Sequence, residues 1–412
     1  MKTIRSIALV LSLSIGVSLV AAVAGSVFLA SPVRAANLIT LASFNGVSAG
    51  SHLIAGIDGN LYGTTYDGGA NRVGTIFRVD PDNGVLTTLV SFDGSNGRQP
   101  SAGLISDGSL YGTTSNGGAN NYGTLFKLDL ATGALTTLTS FDGANGRYPN
   151  TGLIADADGN LYGTAGGGAY SFGIVFKLNP ITRNLTTLAS FDSANGRFPN
   201  GDLVADVDGN LYGTAYAGGA SNNGTVFKLD PATGALTALT SFNRSNGYYP
   251  GGGLLADADG NLCGTTTYGG TNDYGTLFKI APTTGALTTL ASFNGANGST
   301  PAAGLIADAN GNLYGTTGYG GMDGLGTLFK FAPPTGTLAT LASFHSGAIV
   351  SRPFGDLIAD ADGNLYGTTG GTRGSNNGTV FKLTNTGFVV PEPVSQLLLA
   401  LGIAAIVRRR RA

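Results

Sequence analysis

Short apolar segments alternate with polar, Gly-rich segments along most of the chain, and residues 152–191 show the pattern. The mainly apolar segments there span 152–156, 160–164, 173–178 and 184–191. They are too short for helices, and the body of the chain shows no 3.6-residue period. Within them, apolar side chains tend to alternate with polar ones, as expected for half-buried strands. The pattern predicts four antiparallel strands in this stretch.

Turn-forming residues separate the four predicted strands. Asp158-Gly159 lies between the first and second, and this dipeptide is favoured in tight hairpins in which both residues have positive φ. A longer Gly-rich stretch joins the second strand to the third, and Asn179-Pro180 opens the turn before the fourth.

This unit recurs seven times at intervals of about fifty residues. Each copy contains Leu-Tyr-Gly-Thr, or Leu-Cys-Gly-Thr in the fifth copy, together with a Gly-Thr-x-Phe-Lys sequence or a close variant and a Ser-Phe pair. The first motif begins at Leu61, Leu110, Leu161, Leu211, Leu262, Leu313 and Leu365. A period near fifty with several short β-segments predicts one propeller blade per repeat.

The order of strands at the two ends predicts how the ring closes. The first segment of the body, 38–44, matches the fourth strand of a unit, and the last unit stops after its third strand near Leu383. We therefore predict an all-β fold over residues 37–388, a seven-bladed β-propeller of four-stranded antiparallel blades. The N-terminal strand completes the last blade, which an open solenoid would not require.

Residues 1–35 have the features of a secretory signal peptide. Lys2 and Arg5 precede an apolar run over 7–29, and small residues follow at Ala35 and Ala36. Because the run is long, an uncleaved anchor helix is the alternative. Both interpretations predict that the body is exported.

Residues 389–412 contain a Pro-Glu-Pro motif, an apolar stretch over 394–407 and a basic tail. This order resembles the PEP-CTERM sorting signal of bacterial surface proteins. The resemblance implies a short transmembrane helix before processing, and recognition by an exosortase-type protease and the secretion machinery. It also implies transient membrane anchoring, followed by location at the cell surface or in the extracellular matrix. The sorting-signal residues are Pro391, Glu392, Pro393, Arg408, Arg409, Arg410 and Arg411.

The repeats themselves resemble the GloVer tandem repeats of bacterial surface proteins. The resemblance covers nearly all of 37–388 through Asp-Gly-Asn-Leu-Tyr-Gly-Thr-Thr and Gly-Thr-x-Phe-Lys-Leu. It implies the fold and a surface location but no particular activity.

Composition limits the classes of function. Charged residues form 11% of the chain, and seven of its 22 Lys and Arg residues lie in the two terminal segments, which leaves the body acidic. Nucleic-acid binding needs a concentrated basic surface and is not expected. Cys263 replaces the tyrosine of its repeat, so we expect a small buried substitute and not a reactive thiol.

No catalytic or metal-binding constellation is apparent, so we predict no catalytic residue, no metal site and no cofactor. His52 and His345 lie in connections between blades and in no recognisable motif. Calcium is the alternative, because Asp156-x-Asp158-Gly-Asn160 and its copies look like the opening of a calcium loop. They lack the downstream bidentate Glu. Hairpin turns account for the same residues and are favoured.

Strand alternation places two sets of connections on one face of the predicted disc, which we call the long-loop face. These are the connections from a fourth strand to the next first strand, and from a second strand to a third. The opposite side, the short-turn face, carries the hairpin turns. Side chains that could hydrogen-bond to or stack on a sugar or peptide recur in the long loops. The candidate ligand-binding residues are Arg98, Asn121, Tyr122, Arg147, Tyr148, Arg197, Tyr248 and Tyr249.

The favoured function is an exported, surface-sorted, non-enzymatic propeller that binds glycans or proteins through the long-loop face. The alternatives are a hydrolase or lyase acting on extracellular polysaccharide, and a purely structural matrix protein. An enzyme normally has one unusual loop, whereas these repeats have loops of similar length. This similarity favours binding or structure.

Overall fold

The structure is a computed structural model that describes residues 35–49, 52–345, 352–353, 355–370 and 377–391. All the secondary-structure elements within these residues are β-strands. Among them, no helix has the length and apolar character that crossing a membrane requires. The predicted signal peptide and sorting signal lie outside the described residues, except Ala35 and the segment 389–391.

The strands form seven antiparallel sheets, one for each blade, and those of blades 1 to 4 follow in chain order. Blade 1 contains β2 (Ile54–Ala55), β3 (Leu61–Thr65), β4 (Thr75–Val79) and β5 (Leu86–Ser91). Blade 2 contains β6 (Ile105–Ser106), β7 (Ser109–Thr114), β8 (Thr124–Asp129) and β9 (Leu135–Ser140). Blade 3 contains β10 (Ile154–Ala155), β11 (Leu161–Ala165), β12 (Ile174–Leu178) and β13 (Leu185–Ser190). Blade 4 contains β14 (Arg197–Pro199), β15 (Val204–Ala205), β16 (Leu211–Ala217), β17 (Thr225–Asp230) and β18 (Ala235–Ser241).

The remaining blades repeat this arrangement. Blade 5 contains β19 (Tyr248–Pro250), β20 (Leu255–Ala256), β21 (Leu262–Tyr268), β22 (Thr276–Ala281) and β23 (Ala286–Ser292). Blade 6 contains β24 (Ile306–Ala307), β25 (Leu313–Thr317), β26 (Thr327–Ala332) and β27 (Thr337–Ser343). Blade 7 contains β28 (Ile358–Ala359), β29 (Leu365–Thr369), β30 (Thr379–Thr384) and β1 (Asn37–Ser43).

The N-terminal strand closes the ring. β1 pairs antiparallel with β30, from Asn37 opposite Thr384 to Ser43 opposite Thr379. A bulge between Thr40 and Ala42 matches the bulge in the pairing of the third and fourth strands of the other blades. The predicted seven-bladed propeller and its closure are therefore confirmed.

A pair of phenylalanines packs at every interface between blades. One ring comes from the end of a fourth strand and the other from the third strand of the next blade, with centroids 4.9–5.4 Å apart and edge-to-face geometry. Each pair adds about 0.5–1.5 kcal/mol beyond the area that it buries. The pairs are Phe44–Phe77, Phe92–Phe126, Phe141–Phe176, Phe191–Phe227, Phe242–Phe278, Phe293–Phe329 and Phe344–Phe381.

The third-strand phenylalanine explains the glycine of Leu-Tyr-Gly-Thr. In blade 3, Gly163 pairs with Phe176 across the sheet, and a Cβ on Gly163 would lie 2.7 Å from the Cζ of Phe176. Every blade has the same close approach, at 2.5–2.7 Å. A larger residue at this position would displace the ring from the interface between blades.

Gly163→Ala should lower the free energy of unfolding by about 1–3 kcal/mol, because the added methyl group overpacks a closed interior. Gly251→Ala is the matched control, since its Cβ would be 3.5 Å from the nearest atom, and we expect a change within about 0.5 kcal/mol. Denaturant unfolding of both variants measures the difference. Equal midpoints would contradict this account of the repeat.

The hairpin between the first two strands differs from the prediction in its backbone. Gly159 has a φ of 78°, but Asp158 is not in the positive-φ region, so the expectation for both residues was wrong. The Oδ1 of Asp156 accepts hydrogen bonds from the backbone N–H groups of Asp158 and Asn160, at 3.0 and 2.8 Å. The Asp156 side chain thus stabilises a turn in which Gly159 is left-handed and Asp158 is not.

The other oxygen of Asp156 accepts hydrogen bonds from Asn160 Nδ2 and the Tyr162 hydroxyl, at 2.8 and 2.9 Å. We call this group the Asp–Asn–Tyr bracket. It recurs around Asp58, Asp206, Asp308 and Asp360. The turn interpretation thus accounts for the contacts of the Asp-x-Asp-Gly-Asn motif.

Two further repeat positions have structural roles. The Lys177 ammonium lies 5.2 Å from the Tyr162 ring centre, and four other blades have the equivalent contact. Cys263 is 2% exposed, and burial raises the pKa of its thiol to about 12. The burial of Cys263 agrees with the expectation of a small buried substitute at this position.

Candidate functional site

The two sets of long connections meet on one face, as predicted. Within blades 4 and 5, β14 and β19 pair with the far ends of β16 and β21, so that Arg197 lies opposite Ala217 and Tyr248 opposite Tyr268. Single bridges join the same two connections elsewhere, as between Arg98 and Asn116. The long-loop face is therefore a continuation of the sheets.

A left-handed residue fixes each of six connections between blades. In the connection after blade 2, Tyr148 has a φ of 53°, and its N–H donates to the carbonyl of Tyr122 in the preceding loop at 2.7 Å. A non-glycine residue in this region is uncommon and requires support from its surroundings. The loops are thus locked to one another. The six residues are Gln99, Tyr148, Phe198, Tyr249, Thr300 and Arg352.

The predicted arginines contact neighbouring loops to different degrees. Arg197 donates to the Oδ1 of Asn222 at 2.8 Å and stacks 5.1 Å from the Phe172 ring centre. Arg147 lies 6.0 Å from the ring centre of Tyr148. The Nε atoms of Arg98 and Arg197 are buried without a hydrogen-bond partner among the described residues. Each of these arginines belongs to a different connection between blades.

The predicted Asn121 and Tyr122 have local partners. Asn121 has a φ of 59°, and its Oδ1 accepts a hydrogen bond from the N–H of Gly117 at 3.1 Å, so it shapes its own loop. Tyr122 packs edge-on against Tyr148 at 5.6 Å. Tyr148 is 44% exposed and presents its ring to solvent.

The structure brings Tyr248 and Tyr249 into a four-ring cluster between blades 4 and 5. Tyr249 stacks on Tyr216 at 4.5 Å, and Tyr248 stacks on Tyr268 at 5.4 Å. Arg244 lies 5.3 Å from the Tyr248 ring centre, and the Tyr248 hydroxyl donates to Asp273 at 3.3 Å. The cluster combines ring surface with charged groups.

Exposed aromatic side chains continue around this face. We call them the aromatic belt, and each is 38–61% exposed and lies in a long connection or at the end of a second strand. The belt consists of Tyr66, Tyr148, Tyr170, Phe198, Tyr268, Tyr274 and Tyr319. Only Tyr148 in the belt is among the predicted candidates.

A second group of side chains lies at the inner strands, where the sequence indicated no site. His52 precedes the inner strand of blade 1, Asp202 that of blade 4 and Asp356 that of blade 7. The Nδ1 of His52 lies 3.3 Å from the Oδ2 of Asp202 and 3.3 Å from the Oδ2 of Asp356. Their side chains are 25, 28 and 24% exposed, so the group is in contact with solvent. We call these three residues the central cluster.

The charges of the central cluster are coupled. Burial favours the neutral imidazole, but the charges of Asp356 and Asp202 outweigh it and raise the pKa of His52 to about 9. Burial and the charge of Asp202 raise the pKa of Asp356. Burial acts in the same direction at Asp202, but the charge and hydrogen bond of His52 lower its pKa. The ionisation of each of the three side chains therefore depends on its charged neighbours in the cluster.

All three cluster residues occupy one position of the repeat, directly before the leucine of the first strand. The other four repeats have glycine there, at Gly103, Gly152, Gly253 and Gly304. An alignment of the seven repeats at this single position would have found the cluster. The comparison of loop lengths did not reveal it. The other histidine of the chain, His345, is exposed and does not belong to the cluster.

Two of these glycines hold the carboxylates. The Gly152 N–H donates to the Oδ1 of Asp202 at 2.6 Å, and the Gly304 N–H donates to the Oδ1 of Asp356. A Cβ on Gly152 would lie 2.5 Å from the Oδ2 of Asp202, so a larger residue would displace that carboxylate. In each aspartate, one oxygen is fixed to the preceding blade and the other faces His52.

Residues 18–165, 104–267, 156–311 and 252–391 match the family described as the Gloeobacter/Verrucomicrobia repeat. The chain belongs to this family. The resemblance of the repeats to GloVer proteins is thereby confirmed. No curated protein is significantly similar to the chain in sequence.

Solved structures share the fold at low identity. The extracellular domain of a proposed one component system from B. thetaiotaomicron is 16% identical with a TM-score of 0.57, and the match covers 84% of this chain and 40% of that one. The chain thus spans less than half the length of that protein. The oligogalacturonate lyase of Vibrio parahaemolyticus is 10% identical with a TM-score of 0.52, covering 85% and 96%. An oligogalacturonate lyase in complex with manganese is 13% identical with a TM-score of 0.51, covering 85% and 92%. Identities this low establish the propeller fold alone.

Proposed function

We propose that the protein is an exported, surface-sorted β-propeller that binds glycans through its long-loop face. The observation that carries the proposal is the aromatic belt, with the four-ring cluster around Tyr248 at its most concentrated point. Exposed apolar surface that is concentrated at one place, as in the four-ring cluster, often marks an interaction site in soluble proteins. The Gly-rich loops that hold the rings are locked to one another, so the surface is formed before a ligand arrives.

The chemistry of the tyrosine cluster suits a sugar. A pyranose ring has an apolar C–H face and a rim of hydroxyl groups. The face of Tyr268, 38% exposed, offers an apolar platform, while Arg244 and Asp273 offer a hydrogen-bond donor and acceptor beside it. Apolar walls with a few placed polar groups are typical of small-ligand sites.

The positions of the chain ends support an outward orientation of the long-loop face. β1 begins opposite the end of β30, on the short-turn face. The chain after β30 crosses to the hairpin of blade 6, where the Ala309 N–H donates to the Val389 carbonyl at 2.8 Å. Phe388 packs 5.1 Å from Tyr314 on the way. A sorting signal that continues from Pro391 would place the short-turn face toward the membrane and the aromatic belt away from it.

The proposal includes surface sorting through the PEP-CTERM signal. In the bacterial host, Glu392→Ala should leave the hydrophobic tail uncleaved and the chain associated with membranes, as seen by fractionation and intact mass. Asp362→Asn, in an exposed turn, is a control that should be processed normally. If both variants are processed equally, the sorting proposal is wrong. The binding proposal is tested separately.

Tyr248→Ala combined with Tyr268→Ala should weaken glycan binding by at least about tenfold, or about 1.4 kcal/mol, because both stacked rings are lost. Glycan arrays probed with the full chain, with and without calcium, identify the ligand, and calorimetry then compares the variants. Ile181→Ala is the control, because Ile181 is 87% exposed on the short-turn face. An array without glycan binding, or binding to protein ligands alone, would contradict the proposal.

A propeller hydrolase or lyase that acts on extracellular polysaccharide is the second candidate. The central cluster favours it, because one imidazole and two carboxylates break the sevenfold repetition where they face one another. Product release from polysaccharides by the wild type, lost in His52→Gln and retained in the Tyr248/Tyr268 variant, would favour this candidate over simple binding.

A further inference from the structure

We propose that the central cluster is a binding site for a divalent first-row metal ion, with the Nδ1 of His52, the Oδ2 of Asp202 and the Oδ2 of Asp356 as its ligands. This site is independent of the glycan-binding surface. It requires no change in the backbone and uses donor types that Zn²⁺ and Mn²⁺ accept.

The distances suit coordination. The three donor atoms lie within 4.8 Å of one another, and the imidazole nitrogen is 3.3 Å from each carboxylate oxygen. Two ligands at bond lengths of about 2.0–2.2 Å around one ion are separated by about 3–3.6 Å at tetrahedral or octahedral angles. The two distances from the imidazole nitrogen fall within this range, so a small movement of the side chains would admit the ion.

The surroundings already provide the supporting contacts of a metal site. Metal-bound carboxylates are usually held by a second hydrogen bond, which fixes the direction of the oxygen that binds the ion. Here the N–H groups of Gly152 and Gly304 hold the Oδ1 atoms, and both Oδ2 atoms point to His52. The two carboxylates come from blades 4 and 7, and their contacts to blades 3 and 6 are equivalent.

Charge and access also favour an ion. Two carboxylates close together repel each other, and a divalent cation between them would remove this repulsion while the imidazole bound as a neutral ligand. Each ligand side chain is about a quarter exposed, so an ion can reach the site. Three protein ligands leave coordination positions for water or a bound molecule, as in catalytic zinc sites.

The competing explanation is a structural ion pair, in which protonated His52 bridges Asp202 and Asp356 without a metal. It accounts for the same distances. The two explanations differ in whether the wild-type protein takes up an ion in stoichiometric amount, so metal binding decides between them.

The test uses the full chain, purified in detergent and freed of metal with a chelator. Equilibrium dialysis against Mn²⁺ or Zn²⁺, followed by elemental analysis, should give about one ion per chain. Asp202→Asn and Asp356→Asn should each weaken binding by at least about hundredfold, since loss of a ligand exceeds loss of a supporting contact. Asp158→Asn is the control, because it alters an aspartate in an exposed turn outside the central cluster and should leave metal binding unchanged.

Co²⁺ provides a spectroscopic readout of the ligands that hold the ion. Its visible absorption bands should appear on binding to the wild type and change in His52→Gln, because a nitrogen ligand is replaced. Circular dichroism shows whether each variant is folded. Failure of the wild type to bind Mn²⁺, Zn²⁺ or Co²⁺ would overturn the proposal, as would equal binding by the wild type and both folded aspartate variants.

Discussion

A chain that begins at Phe44 should fail to form a stable ring, whereas a chain that begins at Asn37 should fold. The two differ only by β1, which provides the fourth strand of blade 7. Without it, β30 becomes an open edge along six paired positions, from Thr379 to Thr384. Open edges of this kind pair with other chains and cause aggregation.

The loss extends beyond backbone hydrogen bonds. Leu38 packs against the core of blade 7, and Ala42 belongs to the core between blades 7 and 1. Phe44, the first residue of the shorter chain, would lose the strand that positions it against Phe77. We expect destabilisation by more than about 5 kcal/mol, which is comparable to the whole stability of many domains.

Thermal unfolding by circular dichroism and size-exclusion chromatography measure this effect. The longer chain should unfold in one cooperative transition and elute as a single species. The shorter chain should aggregate or melt broadly at low temperature. If both chains unfold at the same temperature, closure by β1 contributes little, and the interfaces between the other blades must hold the ring together.

The closure was predictable because it follows from the order of the strands at the two ends of the repeats. The segment 38–44 has the composition of a fourth strand and no first three strands before it, and the unit that ends near Leu383 lacks a fourth. Two local patterns were therefore enough to predict a contact between the two ends of the chain. The same holds for Cys263, whose burial follows from the buried tyrosine that it replaces.

The central cluster could not be found by the same reasoning. His52, Asp202 and Asp356 belong to blades that are far apart in sequence, and each is one residue in an otherwise ordinary strand entry. Loop length carries no signal of it, and the replacement of glycine at this one repeat position appears only when all seven repeats are aligned. Only the ring, which brings the seven inner strands around one axis, makes that repeat position a shared site.

The backbone of the turns was missed for a different reason. Asp-Gly predicts a two-residue hairpin, but Asp156 binds the backbone N–H groups of Asp158 and Asn160 and selects another turn. The aromatic belt was only partly anticipated, because Tyr170 and Tyr274 lie in second-to-third-strand loops whose side-chain exposure depends on the neighbouring blade.

The Asp–Asn–Tyr brackets should make the propeller sensitive to acid. At Asp58, Asp156, Asp206 and Asp360, burial opposes ionisation, but hydrogen bonds from the Asn and Tyr partners outweigh it and lower the pKa of each carboxyl. A lowered pKa in the folded state means that the unfolded chain takes up protons first as the pH falls. The stability from these brackets is therefore present above about pH 4, the ordinary value, and is lost as the pH falls through the lowered values.

Four such groups would give a slope of at most about 5.6 kcal/mol per pH unit, since each extra proton bound by the unfolded chain contributes about 1.4 kcal/mol. Denaturant unfolding of the full chain at a series of pH values from neutral to about pH 2 measures this slope. A variant with all four aspartates replaced by Asn should be less stable at neutral pH and show a shallower slope. A matched variant with Asn at the exposed turn positions Asp158, Asp208, Asp259 and Asp362 should keep the slope of the wild type. If the bracket variant is as acid-sensitive as the wild type, the acid response arises outside these turns. The brackets would then shape the turns without contributing to the pH dependence of stability.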